Sequence, residues 1–192
     1  MPNFDTGHYF LTVMVPIRDG LTTDPGGVLV SHIQNLRSVL ALLPTAQQTP
    51  ATEKIGINSP FARDRTTHFA RFVVLDDVIF NGRQKSDPIE GRLRGKDPIT
   101  PEPLDEINCA YLIFTADFDA VVDEGDPLPK TLDVRAQNRA RDAWARRIWE
   151  KMAEELSDIF ANCEGFEAVT DADGFAAFIK RHQVETTMPF ND

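Results

Sequence analysis

The sequence predicts an α+β domain, and three observations carry that prediction. Two apolar runs, THFARFVVLDD over 67–77 and CAYLIFTADFD over 109–119, hold ionisable residues at their ends and read as central strands. Two stretches, 28–43 and 134–162, place apolar residues at helical steps. Strands and helices alternate along the chain, separated by polar, Pro-containing connections. At 192 residues the chain can fill one core, and 42% apolar against 26% charged residues matches an ordinary globular domain. A single domain over 1–192 is expected.

The elements follow in order. Residues 8–17 (HYFLTVMVPI) alternate and are rich in strand formers, with Pro16 and Gly20 ending the run. In 28–43, Leu29, Ile33, Leu36, Leu40 and Leu43 form one helical stripe, preceded by a Pro25-Gly26-Gly27 turn and stopped by Pro44. A connection over 44–66 holds NSPFARDR, and the second strand is 67–76, prolonged or followed by Val78 to Phe80. Pro88, Pro98, Pro101 and Pro103 among many charges exclude a helix or a central strand from 84–107, which is expected to be a surface excursion. The third strand is 109–116, and 120–133, with Pro127 and Pro129, is a second excursion. The longest helix, 134–162, aligns Trp144, Ile148, Met152, Leu156 and Ile159 toward the core. FEAV at 166–169 reads as a short fourth strand, Asp171 as the cap of a last helix to about His182, and VETTMPF as an extra strand or arm.

This order is that of a ferredoxin-like βαββαβ antiparallel sheet with helices on one face, long insertions and an extra C-terminal helix. In this reading the first and third strands lie at the centre, taken as parallel to each other. The second strand pairs antiparallel with the third, and the fourth flanks the first. His68 and Arg71 would then sit beside Asp117 and Asp119, with Arg18 near them.

Period-two alternation sorts the faces. Leu11, Val13, Val15, Ala70, Phe72, Val74, Leu112, Phe114 and Ala116 are expected under the helices. The opposite face carries Phe10, Thr12, Met14, Phe69, Arg71, Val73, Leu75, Tyr111, Ile113, Thr115 and Asp117. This mixture is too apolar for open water and too polar for a plain core. It suggests a subunit interface or a pocket with a few placed polar groups. The candidate ligand-binding residues are Arg71, Asp117, Thr115, Tyr111, Thr12, His68 and Asp119. Arg71 and Asp117 form either a salt bridge, the favoured reading, or an anion site.

Composition excludes several functions. A formal net charge of −10 argues against phosphate-backbone binding, so no nucleic-acid partner is expected. No apolar stretch approaches the ~20 residues of a membrane span, and MPNFDTGHYF lacks the pattern of a secretory leader. A soluble cytoplasmic protein without membrane partners is expected. Cys109 and Cys163 lie in different elements and read as small buried hydrophobes rather than as metal ligands or a disulfide. Arg135, Arg139, Arg141, Arg146 and Arg147 read as a solvated helix face paired with acids rather than a phosphate site.

The run THFARFVVLDD, the strand end DFDA (117–120), the helix end IFANCEGF (159–166) and the closing RHQVETTMPF (181–190) resemble a group of uncharacterised bacterial proteins with ferredoxin-like domains. The resemblance covers 58–83 and 109–190 and implies the fold but no established activity. Ala120 departs from the Gly that this group commonly has, which questions a Gly-dependent turn there. More remotely, the fold is similar to the dimeric α/β barrels, which include dye-decolorising peroxidases, chlorite dismutases and small monooxygenases. That similarity implies a haem-dependent oxidoreductase as one reading, with His32, His68 or His182 as ligand and Arg71, Asp117 and Asp119 as distal groups. The favoured reading is a non-enzymatic small-ligand-binding or assembly module using the open sheet face, without cofactor or metal. Its partners would be a second copy of the chain and a small or anionic ligand.

Overall fold

The computed structural model describes residues 4–5, 7–24, 26–44, 58–76, 107–131 and 133–185. In chain order they form β1 (Phe4–Asp5), β2 (His8–Pro16), β3 (Leu21–Thr23), β4 (Leu29–Ser31), α1 (His32–Leu42), a 3-10 turn (Pro60–Arg63), β5 (Thr67–Leu75), β6 (Tyr111–Asp119), α2 (Val134–Phe160), a second 3-10 turn (Phe166–Ala168) and α3 (Ala172–His182). The main sheet has the order β1-β2-β6-β5 and every pair is antiparallel, while β3 and β4 make a separate hairpin. The chain is thus α+β, with helices packed on one face of an antiparallel sheet.

The expected parallel pairing of the first and third strands is corrected: β2 and β6 run antiparallel, with Leu11 opposite Ala116 and Val15 opposite Leu112. The reason is chain direction. The passage through α1 brings β5 back in the same sense as β2, so β6, antiparallel to β5, is antiparallel to β2 as well. The start of β2 therefore lies beside the end of β6. His8 faces Asp119 there, and Arg18 lies at the other end of the sheet, donating to the Cys163 carbonyl at 3.1 Å.

One helix boundary and one strand differ from expectation. Leu29–Ser31 pairs with Leu21–Thr23 instead of opening α1. The turn between them is closed by Asp24, whose carboxylate accepts from Val28 N at 2.8 Å, and by Gly27 at φ 81°. Ser31 then caps α1 by accepting from Gln34 N. The fourth strand expected at 166–169 is a 3-10 turn, because Gly165 at φ 78° turns the chain and Phe166 packs into the helical layer against Phe160 and Phe178. The place beside β2 is taken instead by 183–184: Gln183 bridges Val13, and Val184 N donates to Thr12 O at 2.8 Å. The expected continuation over Val78 to Phe80, residues 84–106 and the end of VETTMPF lie outside the described residues. The chain leaves β6 without a glycine at Ala120, whose N donates to Gly7 O, and the loop takes its left-handed turn further on at Gly125, φ 96°.

The core face is as alternation predicts. Tyr9, Leu11, Val13, Val15, Leu112, Phe114, Ala116 and Phe118 are buried, with Ala70, Phe72 and Val74 packed against them. α2 covers them with Trp144, Ile148, Met152, Leu156 and Ile159. Trp144 stacks on Phe118 with ring centroids 4.1 Å apart and planes within 1°. Each large side chain buried here contributes about 1.5–3 kcal/mol relative to exposure. α2 bends at Met152, where φ −152° and ψ 40° leave the helical region, and Arg63 Nη1 donates to the Lys151 carbonyl at this break.

A buried charge cluster locks the 3-10 turn and β5 to α2. Asp64, 2% exposed, accepts from Thr66 Oγ1 at 2.6 Å, Thr67 Oγ1 at 2.8 Å and Lys151 Nζ at 3.2 Å. Arg147 reaches it at 3.4 Å and donates to Thr66 Oγ1 as well. Burial by itself would raise this carboxyl, but side-chain hydrogen bonds with Thr66, Glu124, Thr67 and Lys151, in that order of size, outweigh it and hold the pKa at about 2. Of the arginines on α2, Arg141 pairs with Asp142 and Arg146 with Asp173, but the expected solvated face is met only in part: Arg141 is buried, and Arg147 turns inward to the buried Asp64.

A folded pKa below the unfolded value stabilises the native state above pH ~4, and that contribution disappears as pH falls toward 2. Its size is on the order of 2 kcal/mol. Asp64→Asn is expected to lower unfolding free energy at neutral pH by about 3 kcal/mol, since it removes the one carboxylate that Arg147 pairs with and one of the two that Lys151 pairs with. Urea unfolding at stepped pH should show the gap between wild type and variant closing below pH ~4. A gap that stays constant down to pH ~2 would contradict the role given to this carboxylate.

Candidate functional site

The face of the sheet away from the helices is a ladder of side-chain rows fixed by strand register. Pro16, Tyr111 and Leu75 form one end; then come Met14, Ile113 and Val73; then Thr12, Thr115 and Arg71; then Phe10, Asp117 and Phe69. At the far end His8 faces Asp119. The face thus runs from apolar to polar along the strands. Met14, Val73 and Phe69 are exposed at 37%, 38% and 52%, the last two on β5, which lies at the sheet edge and not at the centre as its apolar run suggests.

His68 reaches this face through a β-bulge. Thr67 pairs with Phe118 and Phe69 with Asp117, so His68 is an extra residue with no opposite partner in the ladder. Strict alternation would point it under the helices with Ala70 and Phe72. Thr67 turns inward instead, where its hydroxyl donates to Asp64 and accepts from Trp144 Nε1 at 2.9 Å. His68 is left on the outer side with Nε2 donating to Asp119 Oδ1 at 2.7 Å. The His8 ring lies beside it, centroids 5.4 Å apart, and His8 Nδ1 is 3.7 Å from Asp117 Oδ1. Sequence reasoning missed His8 as a site residue, although its place in the alternating run 8–17 was the signal that puts it on the open face.

Arg71 and Asp117 share this face, as the alternation predicts, but the favoured salt bridge is not formed. Register sets Arg71 opposite Thr115, one row from Asp117, and Asp117 lies toward His8. Among the described residues Arg71 is exposed and has no ion-pair or hydrogen-bond partner. Asp117 Oδ1 is shielded from solvent and takes no hydrogen bond, although the side chain as a whole is 32% exposed. Tyr111 donates to Asn108 Oδ1 at 2.7 Å and is thereby held at the apolar end.

A cleft of about 450 Å³ runs along β5 between that strand, the end of α1 and the first 3-10 turn. Leu40, Leu43, Phe61 and Phe72 give it an apolar wall, and His68 and Arg71 lie on its border with the open face. Of the three histidines offered for haem, His32 contacts Asn162 Oδ1 at 3.2 Å and His182 donates to the Phe178 carbonyl at 3.0 Å, both within the helical layer. His68 is the one on the open face. Among the described residues, His8, His68 and Asp119 place one ligand atom each within 4.8 Å of one another and form a group that can hold a metal ion. Cys163 is buried with its thiol pushed up to about 12 by desolvation, which makes it a packing residue, while Cys109 is only partly buried.

Thr67→Val is expected to cost about 2 kcal/mol by urea unfolding, because it removes one hydroxyl that serves both Asp64 and Trp144. Arg71→Ala should stay within about 0.5 kcal/mol of wild type, as expected for an exposed side chain without a partner. Equal losses in the two variants would mean that Arg71 is held by contacts that hold the fold as well.

Compared with protein-family models, curated proteins and solved structures, the chain finds no match in any of the three.

Proposed function

We propose that the chain is a non-enzymatic binding module for a small amphipathic anion, seated where the β5 cleft meets the open sheet face. The observation that carries this is Arg71, a guanidinium without a partner among the described residues, bordering an apolar cleft whose volume suits a small molecule. An alkyl or aryl body would lie on Leu40, Leu43 and Phe61, and its carboxylate would take a bidentate bond from Arg71. Antiparallel strands with 183–184 in the fourth position support a ferredoxin-like frame with a reduced last strand, in keeping with the resemblance to the uncharacterised bacterial group. The apolar rows around Met14, Ile113 and Val73 support a second copy of the chain as cover for the open face.

Thermal melts with a medium-chain alkyl carboxylate and with the matching alcohol test the ligand class. The carboxylate should raise Tm of the wild type more than the alcohol, and Arg71→Ala should abolish that preference without changing Tm of the free protein. No shift with either compound, or the same shift in Arg71→Ala, refutes the anion site. A Soret band on titration with haem would instead favour the oxidoreductase reading through His68.

Light scattering tests the cover. The wild type should have twice the mass of the chain, and Val73→Glu should reduce it to one, since a charge in the middle of an apolar interface is costly to bury. A monomeric wild type removes the second copy from the proposal.

A further inference from the structure

We propose that His8, His68 and Asp119 form a binding site for a divalent first-row transition ion of the zinc class, with open coordination positions toward solvent. The three donors come from three different strands, β2, the β5 bulge and β6, and they converge on one side of the sheet. Their ligand atoms lie within 4.8 Å of one another, and His68 Nε2 is already 2.7 Å from Asp119 Oδ1. Around a shared tetrahedral ion with bonds of about 2.0–2.2 Å, neighbouring donors sit roughly 3.3–3.6 Å apart. Small side-chain rotations therefore suffice.

A further observation favours an ion over a plain surface contact. Asp117 Oδ1 is shielded and without a hydrogen bond, 3.7 Å from His8 Nδ1. A ligating histidine commonly donates its other N–H to a carboxylate, which fixes the ring and raises its basicity. Asp117 is the positioning residue for His8 in this arrangement, with Nε2 of His8 left for the ion. Binding replaces the hydrogen bond between His68 Nε2 and Asp119 by bonds from both groups to the cation, with the imidazole proton carried on Nδ1. Two imidazole nitrogens and one carboxylate oxygen suit Zn²⁺, Co²⁺ or Fe²⁺ rather than Ca²⁺ or Mg²⁺.

Tag-free, metal-stripped protein titrated with Co²⁺ tests the site by its visible absorption, with Zn²⁺ added afterwards to displace the probe. One equivalent of Co²⁺ should produce a saturable band that Zn²⁺ removes and Mg²⁺ does not. His8→Ala and His68→Ala should each weaken Co²⁺ binding by about 100-fold, and Asp117→Asn by about 10-fold, with melting curves confirming that each variant is folded. If either alanine variant melts early, His8→Gln or His68→Gln replaces it. No saturable band, or a band that persists when both histidines are replaced, overturns the proposal. The metal site meets the anion site at His68, which borders the β5 cleft, while His8 and Asp119 do not line it. Loss of Co²⁺ binding in His8→Ala with the carboxylate-induced shift intact would show the two to be independent.

Discussion

The polar end of the sheet depends on one buried carboxylate. Asp64 lies in the short segment between the first 3-10 turn and β5, where it is almost wholly removed from water. An ionised group in that position persists only if its lone pairs are filled, and here two threonine hydroxyls and the cationic side chains of Lys151 and Arg147 fill them. The same partners span three parts of the chain. Lys151 also pairs with Glu124, and Arg147 also donates to the Val122 carbonyl, so the loop after β6 is tied into the cluster from the other side. Asp64 is thus the point at which the start of β5, the middle of α2 and the loop after β6 are held in one geometry.

What this geometry does to β5 is specific. Thr67 must turn inward to serve Asp64 and Trp144, although its neighbours two and four residues on, Phe69 and Arg71, face outward. A strand cannot keep period two across that demand. The extra residue of the bulge absorbs the mismatch, and His68 is the residue delivered to the outer side. The hydrophobic stack of Trp144 on Phe118 fixes the opposite strand at the same level, so Asp119 stands beside the histidine that the bulge presents. Packing on the covered face thereby sets the constellation on the open one.

The open face itself follows from how the helices are shared out. α2 and α3 lie over the covered face and bury its aromatic residues against one another, with Phe160 touching Phe72, Phe114, Phe166, Phe175 and Phe178. No described helix packs on the other side. Apolar residues there keep contact with water unless a ligand or another chain covers them, and their removal from water would release about 25 cal/mol per Å². Arg71 and the His8–Asp119 end interrupt this surface, giving orientation to whatever covers it.

The sequence by itself determined the class of the fold, the inner and outer faces of the strands and the register of the long helix. Those properties are local: Leu112, Phe114 and Ala116 alternate, Trp144, Ile148 and Met152 recur at helical spacing, and burial rewards both patterns directly. The sequence likewise placed Arg71, Thr12, Thr115, Tyr111 and Asp117 together on the outer face, because one period rules each strand. Tertiary structure decided what period cannot express. The direction of β6 beside β2 came from the crossover through α1, and it moved Arg18 away from the polar end and brought His8 to it. The replacement of the expected strand at 166–169 by 183–184 came from the pull of Phe166 into the aromatic core. The outward turn of His68 came from a buried charge on Asp64, three residues before the strand begins. A bulge is a compromise between two such demands on neighbouring residues, and only the folded chain puts both demands in one place.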